Sequence, residues 1–227
     1  MTAPNARHQR LLGPAFDALP LGLTLVAAPP AVGKTCLSLN LAAHFAAHLG
    51  EDVLYFSPVT PREVVLARLA KNLTPEGDAV DVGVAADLPL CVVDAANPTS
   101  LVVVESASSY VEQHGQPGLV LVNDLQSLRP GRAGATGVAA AVDILADMRA
   151  IAKLCGAPLV LFSQLAEGKA ISTTVRDQAD RVVQVAMTRE DAAFKHLEVH
   201  WADGPDPEGE RYAMSLARAT GLLRTPA

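Results

Sequence analysis

The stretch Ala28-Pro29-Pro30-Ala31-Val32-Gly33-Lys34-Thr35 decides how this chain folds. It follows an apolar run from Leu23 to Ala27 and precedes a helix-like stretch from Cys36 to Leu49. A strand, a loop ending in Gly-Lys-Thr and a helix together predict a phosphate-binding loop, or P-loop. Alanine at position 28 replaces the first glycine of the usual pattern, so we expect a tolerant backbone conformation there.

The loop predicts a nucleotide site in which each group has a defined role. Backbone N–H groups and the positive end of the following helix hold phosphate oxygens. We expect Lys34 to contact the β- and γ-phosphates, Thr35 to bind Mg²⁺ through its hydroxyl, and Gly33 to let the backbone approach closely. The ligand is ATP or another NTP, and its predicted binding residues are Ala28, Pro29, Pro30, Ala31, Val32, Gly33, Lys34, Thr35 and Cys36.

Two other apolar runs end in polar residues that suit the same site. Asp124 ends the run L-V-L-V-N-D and is the predicted Walker B carboxylate, which orients Mg²⁺ directly or through water. Gln164 ends the run L-V-L-F-S-Q and is placed to sense a γ-phosphate or a water beside it. Asp124 and Gln164 are therefore the candidate catalytic residues, and Thr35 and Asp124 are the candidate metal ligands.

Apolar runs alternate with helix-like stretches along the chain, which predicts an α/β fold with a mainly parallel sheet covered by helices on both faces. In such sheets ligands sit at the carboxyl ends of the strands. Thr60-Pro61-Arg62-Glu63 predicts a helix start, with Thr60 as the cap and Glu63 closing a capping box. The predicted strands are 23–28, 52–57, 90–93, 119–122, 158–163 and 181–187, followed by a terminal hairpin of 196–201 and 211–216.

The predicted domain spans residues 21–220, between a polar arm (1–20) and a short tail (221–227), and 74–88 is predicted as a loop. The 227 residues are half hydrophobic, which suits one α/β domain. A net charge of −6 excludes strong non-specific nucleic-acid binding through charge alone, although Arg129 and Arg132 make one local basic loop. Three scattered cysteines predict a reducing, cytoplasmic setting, and no apolar run is long enough to span a membrane.

Four stretches, in order, resemble the RecA-like ATPase domain of DnaB-type replicative helicases. The loop at 28–35 is similar to the family's A-R-P-x-x-G-K-T, which accounts for the missing glycine. Residues 119–128, 158–165 and 175–183 resemble its I-D-Y-L-Q-L, P-V-I-x-L-S-Q-L and I-E-Q-D-A-D-V-V segments. The resemblance covers most of residues 20–220. It implies a RecA-like P-loop NTPase with ATP and Mg²⁺ as cofactors, and with single-stranded DNA and further copies of the chain, in a ring or filament, as partners.

Departures from that family concern the groups that drive hydrolysis. Val59 stands where the family's F-S-L-E-M motif has a glutamate that resembles the catalytic base, and valine cannot accept a proton. His200 and Ala202 stand where the pattern K-x-R-N-G-P has the lysine and arginine that reach a neighbouring subunit. Glu63 is the nearest carboxylate that could replace the base. Lys169 is the one basic residue in the short segment that resembles a DNA-contacting loop.

Three functions remain open at this point. The ordered motifs favour a DnaB-like ATPase that acts on DNA, in replication or on a mobile element, with weakened hydrolysis. Two absences favour a nucleotide-binding module that hydrolyses little and controls an oligomer or partner interface. One is the catalytic base, and the other is the lysine and arginine that reach a neighbouring subunit, which we call the finger residues. A structural or recombination-accessory protein with a relic P-loop is the third possibility. RecA-like recombinases and clock-type ATPases share the fold.

Overall fold

The apolar runs form one mixed sheet in the computed structural model of the chain, which describes residues 16, 19–74, 78–166, 171–203 and 209–224. Across the sheet the described strands lie in the order β3-β2-β4-β5-β1-β6-β7-β8-β9. Their bounds are β1 (Gly22–Ala28), β2 (Val53–Phe56), β3 (Leu90–Val93), β4 (Leu119–Val122), β5 (Pro158–Gln164), β6 (Arg181–Glu190), β7 (Phe194–Asp203), β8 (Glu210–Ala217) and β9 (Leu223–Arg224).

Helices connect the parallel strands. Helix α1 follows the P-loop and continues as a π-helical turn, His44–Leu49, and a 3₁₀ turn, Leu125–Ser127, follows β4. The helices are α1 (Lys34–Ala43), α2 (Arg62–Leu73), α3 (Val82–Ala86), α4 (Ser100–His114), α5 (Gly137–Cys155) and α6 (Thr173–Arg176). Of the described helices, none has the length and apolar character required to cross a bilayer.

The strands from β3 to β6 in the sheet order are parallel, whereas β6, β7, β8 and β9 pair antiparallel. This arrangement confirms the predicted mainly parallel sheet with a C-terminal hairpin. In the registers, Ala28 pairs with Gln164 and Val122 pairs with Leu161, so β1, β4 and β5 end at one edge of the sheet. We call it the carboxyl edge. The β6–β7 turn also lies there, because β7 runs back from it and Lys195 pairs with Glu190.

The core lies on both faces of the sheet. Val26, Tyr55 and Leu121 lie on the face that packs against α1 and α2. Leu25, Leu54 and Val120 lie on the opposite face, against α4 and α5. Burial on two faces explains why the central strands are continuous apolar runs and not alternating ones.

The start of α2 differs from the sequence prediction. Thr60 is not the cap, and Glu63 closes no capping box: the N-cap residue is Pro61, which has no capping side chain. The N–H of Arg62 instead donates to Asp94 Oδ2 at 2.9 Å. Asp94 follows β3, the strand next to β2 in the sheet, so a partner distant in sequence replaces the local one.

The described core extends past the predicted boundaries at both ends. Phe16, assigned to the polar arm, is fully buried, and Leu223, assigned to the tail, is 1% exposed and pairs with β8. The predicted loop 74–88 contains α3, which Asp81 caps by accepting the N–H of Gly83 at 2.9 Å. The rest of the arm (1–15, 17 and 18) and residues 225–227 lie outside the described residues, and the domain limits themselves stay a prediction.

Candidate nucleotide site

The P-loop carries its unusual backbone at Ala31 and Gly33. Gly33 has φ 115° and ψ 28° and precedes the first residue of α1, and Ala31 has φ 62°. Ala28, where we expected the tolerant conformation, is an ordinary β1 residue paired with Gln164. That expectation is wrong, because the left-handed positions lie later in the loop, and alanine therefore replaces the first glycine without backbone strain.

A cleft of about 490 Å³ opens at the carboxyl edge. It brings together the P-loop, the end of β4 and the end of β5, which the sequence predicted to meet. Its lining residues are Ala31, Gly33, Lys34, Thr35, Cys36, Asp124, Gln164, Lys195, Leu216, Ala217, Arg218 and Gly221.

The other predicted binding residues of the loop do not line the cleft. Ala28 and Val32 are buried in the core, and Pro30 is exposed. Pro29 takes part only through its carbonyl, which accepts a hydrogen bond from Lys34 Nζ at 3.2 Å. These four residues therefore shape the loop but do not line the cleft.

Lys34 is the P-loop cation. Its Nζ also lies 3.4 Å from the carbonyl of Ala28, so two carbonyls of its own loop hold it. Burial lowers the pKa of Lys34, and the nearby carboxylate of Asp124 partly opposes that effect. A partly desolvated ammonium at the head of a helix is a favourable partner for phosphate oxygens.

The residue that reaches Thr35 from β4 is Asn123, which no sequence motif singled out. Asn123 Nδ2 lies 3.3 Å from Thr35 Oγ1. Asp124, one residue later, opens the 3₁₀ turn, and its Oδ1 accepts a hydrogen bond from Ser127 at 2.7 Å. Asp124 lines the cleft beside Lys34, but an amide occupies the place next to the hydroxyl where we expected this carboxylate.

A chain of hydroxyl groups fixes which way the amide of Asn123 faces. Ser38 Oγ donates its one proton to the carbonyl of Thr35 at 2.9 Å, so it accepts from Tyr55 Oη at 2.7 Å. Tyr55 has then used its proton and accepts from Asn123 at 3.3 Å, which only the NH₂ group can supply. Burial raises the pKa of Tyr55, which keeps the phenol protonated in this chain. Asn123 therefore presents a donor, not an acceptor, to Thr35.

Gln126 is a second residue that sequence reasoning missed, although it stands in the quoted segment 119–128. Its Oε1 accepts the N–H of Gln164 at 2.7 Å, and its Nε2 donates to the carbonyl of Gln164 at 3.1 Å. Nε2 also lies 3.0 Å from Ser163 Oγ. The side chain of Gln126 thus ties the end of β5 to the turn after β4, and it leaves the Gln164 side chain free to face the cleft.

Two cations from the C-terminal strands complete the wall of the cleft, and no sequence motif indicated them. Lys195 Nζ donates to the carbonyl of Ala31 in the P-loop. Arg218 Nη1 lies 3.2 Å from Glu190 Oε1 and donates to the carbonyl of Asp191 at 3.1 Å. Lys195 also lies 3.9 Å from Glu190 Oε1, so the β6–β7 turn holds both cations in place.

A Mg²⁺ ion in this cleft would meet two oxygen groups, the Thr35 hydroxyl and the Asp124 carboxylate, which are the ligands it prefers. The NH₂ group of Asn123 cannot ligate a cation. Among the described residues no group of three His, Cys, Asp or Glu side chains could hold a metal ion.

No protein-family model matches the chain. It is 28% identical to the replicative DNA helicase DnaB of Pasteurella multocida (strain Pm70), over 73% of this chain and 40% of the helicase. The chain therefore spans less than half the length of that relative. Among solved structures, an ATPase domain superposes with a TM-score of 0.74 at 16% identity, covering 92% of this chain and 86% of that one.

Two further solved structures share the architecture. A DnaB-like replicative helicase, from a study of its interactions with primase, gives a TM-score of 0.73 at 16% identity, over 92% of this chain and 58% of that one. The RadB recombinase gives 0.66 at 16% identity, over 92% of both chains. The fold is that of a RecA-like ATPase domain, and the sequence is similar to that of a DnaB helicase. Because of that similarity we call the chain the DnaB-like domain below.

The DnaB-like domain has no second carboxylate at the cleft within its described part, where Asp124 alone lines it. Val59, at the position that resembles the catalytic base, is 72% exposed. Glu63, the candidate replacement, lies in the first turn of α2, is also exposed and does not line the cleft. The loss of the base stays a prediction.

The two positions that resemble the finger residues lie far along β7 from the cleft. Ala202 is buried and pairs with Val182, and His200 pairs with Gln184, toward the start of β6. Lys195, near the start of β7, is the described residue of this strand that lines the cleft. The predicted DNA-contacting Lys169, and Gly204 and Pro205 of the finger motif, lie outside the described residues.

Proposed function

We propose that the DnaB-like domain binds ATP or another NTP in the cleft and acts as a slow P-loop ATPase in DNA replication or another DNA transaction. The observation that carries the proposal is the convergence of Lys34 and Thr35 with Asp124 and Gln164 at one cleft of a RecA-like fold. The likeness to replicative helicases supports the link to DNA. Single-stranded DNA, and further copies of the chain in a ring or filament, are its proposed partners.

In this proposal the chain supplies a cradle for the phosphates. The loop's N–H groups and the amino end of α1 face the phosphate oxygens, and Lys34 supplies a positive charge. A Mg²⁺ bound with the nucleotide would neutralise phosphate charge, with Thr35 and Asp124 as the residues that hold it. Gln164, whose backbone Gln126 fixes, is placed to orient a water beside the terminal phosphate.

Slow hydrolysis follows from what faces the cleft. No carboxylate stands at Val59 to take a proton from an attacking water, and general bases contribute typically 10²–10⁴-fold, on the order of several kcal/mol. Ala202 is buried and cannot reach another subunit. The second candidate function is a nucleotide-controlled interface module with negligible turnover. Val59 and Ala202 favour it too, because neither side chain can take part in hydrolysis.

Bound nucleotide is expected to protect Cys36 from alkylation. Cys36 lines the cleft directly after Thr35, and burial raises its pKa, so the labelling is done at mildly alkaline pH. Iodoacetamide modification followed by mass spectrometry should be about tenfold slower at roughly ten times the Kd of ATP. Cys91, also partly exposed and with a pKa raised by burial, lies outside the cleft and is the internal control. Equal rates at Cys36 with and without ATP would contradict the proposed site.

Replacing Val59 by glutamate is expected to raise kcat for ATP hydrolysis by at least about tenfold, since a general base contributes 10²–10⁴-fold when well placed. Val64→Glu, at an exposed valine on α2, is the matched control and should leave kcat unchanged. Phosphate release is measured with and without single-stranded DNA.

The same assay separates the two candidate functions. Stimulation of hydrolysis by DNA supports the ATPase that acts on DNA. Binding of ATP with turnover no higher than that of Lys34→Ala, with or without DNA, supports the interface module. A wild-type kcat near one per second, in the ordinary enzyme range, would refute slow hydrolysis.

A further inference from the structure

We infer that nucleotide binding by the DnaB-like domain does not depend on Mg²⁺, because Lys195 and Arg218 supply in cis the positive charge that the ion usually brings. The inference rests on the proposed function, since it concerns the same cleft. Its ligand class is a nucleoside di- or triphosphate free of metal. Two separate features of the structure carry it.

The first feature is the donor that Asn123 turns toward Thr35. In P-loop sites a carboxylate at the end of another strand of the sheet works with the P-loop hydroxyl to hold Mg²⁺. Here that strand end carries a neutral amide whose NH₂ group lies 3.3 Å from Thr35 Oγ1, and the hydroxyl chain through Tyr55 and Ser38 fixes its orientation. At this strand end the site therefore offers the ion neither a negative charge nor an acceptor for the ion's waters, and Asp124 is the single carboxylate that the described lining supplies.

The second feature is the pair of cations on the opposite wall. Lys195 reaches the P-loop itself, where it donates to the carbonyl of Ala31, and its side chain is only 20% exposed. Arg218 follows β8 and lines the same cleft. With Lys34, the described lining carries three cations and a single carboxylate, Asp124. Such a surface attracts a polyanion without a bridging metal.

The positions of these cations are set by the fold. Antiparallel pairing of β7 with both neighbours brings the start of β7 and the end of β8 to the carboxyl edge, where Lys195 pairs with Leu216. Glu190 contacts both cations, at 3.9 Å and 3.2 Å, and so orients them while offsetting part of their charge. A phosphate oxygen can replace the carbonyl of Ala31 as the partner of Lys195, and charge-assisted bonds to phosphate are stronger than those to a neutral carbonyl.

The test is calorimetric titration of ATP into the full chain, once with MgCl₂ and once with EDTA. The expected Kd values agree within about threefold, a difference well under 1.4 kcal/mol. A Kd more than about tenfold weaker in EDTA would overturn the inference and leave the proposed nucleotide site standing. Binding in neither buffer would refute the proposed function itself.

Variants assign the effect to the named side chains. Lys195→Gln and Arg218→Gln should each weaken binding in EDTA by at least about tenfold, the lower end of the effect of losing one hydrogen bond to a charged group. Lys153→Gln is the control, because Lys153 is an exposed lysine at the end of α5, at the opposite edge of the sheet. If Lys195→Gln and Arg218→Gln both bound ATP in EDTA as tightly as the wild type does, the role of these cations would be contradicted.

Asn123→Asp approaches the same question from the metal side. The variant should bind ATP at least about tenfold more tightly with MgCl₂ than with EDTA, because the carboxylate attracts the ion and repels bare phosphate. Thermal unfolding shows whether it folds, since Tyr55 must then donate to the new carboxylate. If it does not fold, Lys195→Gln and Arg218→Gln still decide the inference. Equal affinity of a folded Asn123→Asp in the two buffers would contradict it.

Discussion

Replacing Gly33 by alanine is expected to lower the free energy of unfolding by about 2–4 kcal/mol, through backbone strain and overpacking together, and to abolish ATP binding. The backbone of Gly33 has φ 115°, where a side chain is strained. An added Cβ would also lie 2.5 Å from Leu216 Cδ2, a contact that real Cβ atoms do not make. The Leu216 side chain, which is buried and lines the cleft, must then turn away from its place or the P-loop must shift. Urea denaturation and ATP titration measure the two losses.

Gly50 separates the two causes. It also has a positive φ, 69°, but no heavy atom lies within 4 Å of an added Cβ. Gly50→Ala should therefore lower the free energy of unfolding by only about 1 kcal/mol, the cost of the left-handed backbone alone, and should leave ATP binding intact. If Gly33→Ala is no more destabilising than Gly50→Ala, the contact with Leu216 does not limit the loop.

Shortening the neighbour gives an independent check. The double variant Gly33→Ala/Leu216→Ala should be more stable than the sum of the two single changes predicts, because the second change removes the clash that the first creates. Additive losses would show that the two side chains do not meet, and that backbone strain accounts for the whole effect.

The fold was predictable because its signals are local. A strand buried on both faces is a continuous apolar run, and the predicted 119–122 and 90–93 coincide with β4 and β3. The P-loop was predictable for the same reason, since its strand, loop and helix are adjacent in sequence.

The parts of the site that were missed depend on contacts between distant segments. Asn123 and Asp124 are neighbours in sequence, and only the path of the chain after β4 decides that Asn123 meets Thr35, 88 residues away. Lys195 and Arg218 reach the cleft because of the antiparallel register of β6, β7 and β8. In the sequence they are only isolated basic residues in or near a predicted hairpin, and nothing there reveals that register. The predicted cap of α2 was wrong for the same reason. The residue that accepts the N–H of Arg62 is Asp94, which belongs to another strand–helix connection.

Replacing Lys34 by alanine is expected to raise the Kd for ATP by roughly ten- to hundredfold, the equivalent of one hydrogen bond to a charged group. Stability without ligand should change little, because the side chain is only partly buried and bonds to carbonyls of its own loop. ATP at a hundred times the wild-type Kd should stabilise the wild type by about 2.7 kcal/mol and the variant far less. Thermal unfolding with and without ATP measures both, and Lys71→Ala, at an exposed lysine of α2, should behave as wild type.

The size of this loss also tests how the charge in the cleft is shared. If Lys34 alone held the phosphates, its removal would abolish binding at any ATP concentration that can be used. Because Lys195 and Arg218 line the same cleft, residual binding is expected in Lys34→Ala, and Lys34→Ala/Lys195→Gln should remove it. Residual affinity that is the same in the double variant as in Lys34→Ala would place Lys195 outside the phosphate site. If ATP raised the Tm of the wild type and of Lys34→Ala by the same amount, the nucleotide would instead bind away from the P-loop.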